Sequence, residues 1–300
     1  MTAAPAYLDR LAARSAEAGT VLCLGLDPDP ASVPASFGTG IAGVERFARL
    51  VLEAAAPYAA AVKPNLAFFE AFGSPGLAAL ERIRGAVPAG LPVVVDAKRG
   101  DIGTTAARQA VALFDALGAD AVTVNPYLGS EAVSPLLQRL DRFAYVLCRT
   151  SNPGAGELQS LVVESEPGGA PAEPLYARVA RLAAGWGPGG TVGLVVGATA
   201  PLELREIRAI TPGLPFLVPG VGAQGGEVGP VLEAGPATES PGGGRTGAGL
   251  LVNVSRGIAG AAGGAGDERA RTGRPGSLGD PGEAIGAAAR EWGKRLPVLR

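Results

Sequence analysis

One unit recurs along this chain: a short apolar run ends abruptly in charge or in a polar turn, and a helical stretch follows. The runs are β-branched and too short for buried helices, so each reads as an interior strand of a parallel sheet. They fall at 21–26, 60–62, 91–96, 119–124, 143–148, 191–196, 215–218 and 250–254. Helical periodicity or helix-start signals place helices at 6–18, 44–58, 75–86, 106–117, 130–140, 173–186, 201–210 and 281–294. The first would close the bottom of a barrel. Eight strand–helix units in a 300-residue chain predict an α/β fold, a single-domain TIM (β/α)8 barrel spanning 1–300. A doubly wound open sheet would not need eight units.

The fold prediction gives the punctuation a meaning, because all strand ends of such a barrel meet on one face. The residues standing there are Asp27, Lys63, Asp96, Lys98, Asp101, Asn125, Ser151, Gln224 and Arg256. The densest stretch is Asp96-Ala-Lys98-Arg-Gly-Asp101-Ile102-Gly-Thr-Thr105, where Thr104 or Thr105 would cap the next helix. Taken singly, each charge reads as well as a turn, a cap or a surface salt bridge. Convergence of the set argues against that reading. Gly220, Gly222, Gly225 and Gly226 after the seventh run let backbone N–H groups approach an anion, and Arg256 after the eighth can hold phosphate in a fork. Loops at these two positions commonly bind phosphate in barrels, which points to a phosphorylated small-molecule ligand.

Composition narrows the chemistry. The chain has no histidine, so Ser-His-Asp and Cys-His nucleophile systems are excluded, as are His-rich metal sites. Acid–base work falls to Lys, Asp, Glu or Tyr. A net charge of −2 without a basic run argues against a nucleic-acid surface. No apolar stretch reaches the ~20 residues of a membrane span, and residues 1–11 lack a signal-peptide core. Cys23 and Cys148 sit in apolar runs and read as buried thiols, which fits a cytoplasmic protein. Segments 235–249 and 259–282 are Gly-rich without pattern and read as flexible solvent loops, and the polar stretch 154–172 reads as a mobile surface segment.

With these motifs assembled, the chain resembles the orotidine 5′-phosphate decarboxylase family, most of all its longer bacterial subgroup. The resemblance rests on Lys63-Pro-Asn65-Leu-Ala-Phe-Phe-Glu70, Asp96-Ala-Lys98-Arg-Gly-Asp101-Ile-Gly, Asn125-Pro-Tyr127, Thr150-Ser-Asn152 and Pro219-Gly-Val-Gly-Ala-Gln224-Gly-Gly. It implies decarboxylation of orotidine 5′-phosphate to UMP without a metal or organic cofactor. Lys98 would protonate C6 of the pyrimidine, and Asp96 would lie against the substrate carboxylate. Asp27 and Lys63 would contact the ribose. Ser151 would bind the base, and Gln224 and Arg256 the phosphate, with the loop from Pro219 closing over it. Asn65, Asn125 and Ser255 would line the substrate site. Asp101, Ile102 and Thr105 would act in the partner's site of a homodimer. Two other readings compete with this one. A Mg-dependent phosphosugar enzyme of the same superfamily would carry an acidic ligand where this chain has Lys63, and an ammonium cannot ligate magnesium. A catalytically silent nucleotide-binding protein would have lost one of the four charged residues, all of which are present.

Overall fold

The computed structural model describes residues 6–165, 171–263 and 280–299. Eight parallel strands form one sheet: β1 (Leu22–Leu26), β2 (Ala61–Pro64), β3 (Val94–Arg99), β4 (Ala121–Val124), β5 (Phe143–Arg149), β6 (Val192–Val196), β7 (Phe216–Pro219) and β8 (Leu250–Val254). Along the ladder the order is β2-β1-β8-β7-β6-β5-β4-β3. The two ends meet through parallel bridges from Val62 to Val93 and from Asn65 to Asp96. There the Val62 N–H donates to Pro92 O at 2.9 Å and the Leu66 N–H to Asp96 O at 3.2 Å. The sheet is thereby a closed barrel, the expected (β/α)8 architecture.

Closure buries both faces of every strand, which is why the sequence shows continuous apolar runs instead of alternation. Leu22, Leu24, Val62, Val95, Val122 and Val146 face the surrounding helices in one buried cluster. Cys23, Ala61, Val94, Ala121, Tyr145 and Leu251 fill the interior in another. Helix Tyr7–Ala18 feeds Tyr7, Leu8 and Leu11 into that interior cluster and plugs the barrel from below, as predicted. The Tyr7 ring stacks on Phe143 at 4.9 Å, and its hydroxyl meets that of Tyr145 at 3.2 Å. Burial pushes both phenols above their ordinary range.

Several boundaries differ from the sequence reading. β3 begins at Val94 rather than residue 91, because Pro92 has no N–H to donate, and it runs on to Arg99. The helix after it starts at Gly103 with no side-chain cap, so neither Thr104 nor Thr105 caps it. Instead the Gly103 N–H donates to Glu131 Oε1 at 2.9 Å. Helices Ala67–Glu70, Gly156–Gln159, Val228–Ala234 and Arg256–Ala259 went unpredicted, being too short to show a period.

The segment 235–249 is not a solvent loop throughout. Gly242, Gly243 and Ala248 are buried, the Gly242 N–H donates to Gly213 O at 3.0 Å, and Arg245 Nε donates to Asp9 Oδ1 at 2.7 Å. Small side chains let this stretch pack beneath β7 and β8. Of the segment 259–282, residues 264–279 lie outside the described residues, as do 166–170 within 154–172. What is described of 154–172 includes a helical turn and Val162–Val163 paired antiparallel with Glu173–Pro174. Cys23 and Cys148 are buried free thiols.

Candidate active site

At the C-terminal mouth of the barrel, β2, β3 and β4 bring three side chains onto one carboxylate. Lys63 Nζ donates to Asp96 Oδ2 at 2.8 Å, and Lys98 Nζ donates to Asp96 Oδ1 at 2.6 Å. Thr123 Oγ1 also donates to Asp96 Oδ1, at 2.8 Å. The three charges differ in exposure: the Lys63 side chain is 5% exposed and that of Asp96 12%, whereas Lys98 is 49% exposed. Lys98 is thus the charge presented to the mouth, and the other two lie beneath it.

The electrostatics follow from this geometry. Burial opposes ionisation of Asp96, but the Lys63 and Lys98 ammoniums outweigh it and hold the carboxyl well below the usual range. Burial likewise opposes the charge on Lys63, and Asp96 together with Asp27 outweighs it, raising Lys63 above the ordinary lysine value. Asp27 follows β1, and its Oδ1 is buried without a hydrogen-bond partner among the described residues. Cys23, on the interior beneath this cluster, is pushed up to about 12 by burial and remains a thiol.

A second group of residues joins the ends of β5, β6 and β7. Gly197 and Gly220 both press against Ser151: a Cβ on either would lie within 2.9 Å of its atoms. Gly220 has φ +102°, and its missing Cβ would also meet Gln224 Oε1 at 3.1 Å. The loop is a compact turn in which the Gly225 N–H donates to Gly222 O at 2.8 Å and the Gly226 N–H to Gly220 O at 3.0 Å. The Gly222 N–H also donates, to Gly226 O at 3.0 Å, so Ala223 and Gln224 are the turn residues whose amides can face an anion. Ser151 is held from behind, because Gln159 clasps Thr150 through both its backbone N–H and its hydroxyl, at 2.9 and 2.8 Å. At β8, Ser255 and Asn253 crowd Gly25 of β1, and Arg256 opens the helix that follows. Arg256 is exposed and makes no ion pair among the described residues.

The predicted residues therefore sort into two sets. Asp27, Lys63, Asn65, Asp96 and Lys98 stand together, as do Ser151, Pro219 and Gln224, with Ser255 and Arg256 at the next strand end. Asn65 pairs with Asp96 through the backbone, and its side chain accepts from the Ala67 N–H at 3.3 Å. Asp101, Ile102, Thr105 and Asn125 are not part of this cluster within the chain. The Asp101 carboxylate accepts from the Ile102 N–H at 2.7 Å, and Asn125 Oδ1 accepts from the Tyr127 N–H at 3.0 Å. Ile102 and Thr105 are exposed. Among the described residues no hydrogen bond or ion pair joins Asp101 or Asn125 to the Lys63–Asp96–Lys98 cluster, and a nearby backbone N–H takes one oxygen of each side chain. Thr123 and Asn253 were missed. Each is a polar residue at an inward position of an apolar strand, which a count of two from Ala121 or Leu251 would have exposed.

The chain as a whole is similar to known proteins. A model of the orotidine 5′-phosphate decarboxylase / HUMPS family matches residues 20–269. An orotidine 5′-phosphate decarboxylase of Haloarcula marismortui is 46% identical over 293 residues, covering 97% of this chain and 96% of that one. One from Thermomicrobium roseum is 46% identical over 253 residues, 84% of this chain and 86% of its own. Among solved structures, Leishmania donovani OMP decarboxylase superposes with a TM-score of 0.76 at 39% identity, covering 96% of each chain. Matched by the family model along most of its length and by relatives at these identities, the chain belongs to the orotidine 5′-phosphate decarboxylase family.

Proposed function

We propose that the chain decarboxylates orotidine 5′-phosphate to UMP and CO2, a step of pyrimidine biosynthesis, with Lys98 as the proton donor to C6. The observation that carries this reading is Asp96 clasped between Lys63 and Lys98, with only Lys98 half-exposed at the mouth. In the reaction the C6–carboxylate bond breaks and its electron pair stays on C6. The Lys98 ammonium faces that developing charge without solvent reorganisation, then gives C6 its proton. The resulting amine is recharged from water.

Asp96 beside the departing carboxylate adds a like-charge contact. At ~3 Å and an effective dielectric of ~20 it is worth at most about 5 kcal/mol, reduced by the two ammoniums. It fades as CO2 leaves. Ser151 recognises the base, and Asp27 and Lys63 the ribose. The Gly220–Gly226 turn with Gln224 and Arg256 grips the phosphate, whose binding energy helps to hold the strained complex. Both oxygens of Asp96 already carry a cation. The magnesium-dependent chemistry of the wider superfamily therefore draws no support from this site.

A homodimer completes the proposal, with Asp101, Ile102 and Thr105 reaching the partner's site. The exposure of Ile102 and Thr105 supports it. So do the exposed apolar side chains in the neighbouring loops, Ile102 at 63%, Tyr127 at 81% and Leu128 at 57%. The experiment is the loss of orotidine 5′-phosphate absorbance with purified protein in EDTA, beside Lys98→Ala. Activity that survives EDTA and falls at least about 10³-fold in the variant is expected. Dependence on magnesium, or an unaffected variant, would overturn the assignment.

A further inference from the structure

Where β3 passes the site, its pairing with β4 slips. Val95 pairs with Val122, but the next pair is Arg99 with Val124, so three residues of β3 stand against one of β4. The residue at the end of this bulge is Lys98, the only non-glycine with a left-handed backbone among the described residues, at φ +48°. A side-chain-bearing residue adopts that conformation only when its surroundings hold it there. The bulge also takes the Lys98 N–H out of the strand ladder.

Thr123, opposite the bulge and 2% exposed, takes over both tasks. Its hydroxyl accepts from the Lys98 N–H at 3.0 Å and donates its one proton to Asp96 Oδ1 at 2.8 Å. A hydroxyl fixed as acceptor on one side has a single proton to direct, and here it points at the carboxylate. Asp96 thereby receives three donors and cannot rotate away from an approaching negative charge.

We infer that Thr123 is a positioning residue for the decarboxylation: its hydroxyl holds the Lys98 backbone in the bulge and locks the Asp96 carboxylate, without touching substrate. This rests on the decarboxylase reading above. Valine keeps the shape of threonine and loses both hydrogen bonds, leaving a buried N–H unpaired. Thr123→Val should lower kcat roughly 10- to 100-fold, the size expected for a lost hydrogen bond to a charged group. Affinity for UMP should stay within about threefold, because Ser151, Gln224 and Arg256 sit on other strands.

The control is the pair Thr123→Ser and Thr123→Ala. Both lose the methyl group and only serine keeps the hydroxyl, so kcat should survive in serine and fall in alanine. This pair decides the matter even if the valine variant fails to fold. Equal kcat in serine and alanine, or UMP affinity falling in step with kcat, would overturn the inference. A wild-type chain inactive on orotidine 5′-phosphate would instead overturn the reading beneath it.

Discussion

Asp96 and Lys63 are a buried ion pair whose stability depends on pH in opposite directions at the two ends of the scale. The folded state holds the Asp96 carboxyl below its ordinary value, so its contribution is complete above about pH 4 and is lost as pH falls towards the folded value. The folded state holds Lys63 above the ordinary lysine value, so its contribution is complete below about pH 10 and is lost only as pH rises through the folded value. Between these limits the pair contributes constantly. Asp96→Asn leaves the buried Lys63 ammonium with Asp27 as its remaining counter-charge and should cost about 3 kcal/mol at neutral pH. Urea unfolding of both proteins across pH 3 to 8 checks this. The gap should be flat above about pH 5 and narrow in acid, and a gap that widened in acid would refute the assignment of charge.

At the scale of elements, the turn after β7 works by close approach. Gly220 is needed twice, for its φ of +102° and for the space beside Ser151. Gly225 has a similar φ of +88°, yet nothing lies within 4 Å of where its Cβ would be. The two alanine variants therefore separate strain from crowding. Gly225→Ala should cost about 1 kcal/mol of backbone strain within the loop. Gly220→Ala pays the same strain and also displaces Ser151, so the KM for orotidine 5′-phosphate should rise roughly 10-fold more than in Gly225→Ala, equivalent to about 1.4 kcal/mol. Steady-state kinetics of both variants tests this, and equal KM values would show that Ser151 is not placed by this contact.

At the scale of the whole molecule, the barrel brings Lys63 and Lys98 onto Asp96, while Asp101, only three residues beyond Lys98, accepts from the Ile102 N–H instead. A two-fold dimer makes that placement useful, since one chain's Lys98 would meet the other's Asp101. Mixing Lys98→Ala with Asp101→Ala protein, after subunit exchange, should then restore activity. Random pairing rebuilds one intact site in each hybrid dimer, about a quarter of all sites. A mixture no more active than its parents would rule out the shared site.

The strand count, the barrel and the charged strand ends were legible in the sequence because each depends on short-range patterning. An interior strand must be an unbroken apolar run, and a residue that ends it in charge is conspicuous. Pro201–Ile210 and Leu250–Val254 fall where the sequence put them, because a proline start and an abrupt polar stop mark their edges. The tertiary structure alone decided which charges meet. Asp96 and Lys63 are 33 residues apart and become partners only because β2 and β3 close the barrel. Thr123 gains its role from a bulge in a different strand, and the Gly-rich stretch 235–249 is partly buried only because β7 and β8 lie above it. Local sequence fixes what a segment can be, whereas the value of a polar group is set by the neighbours that burial brings within hydrogen-bonding distance.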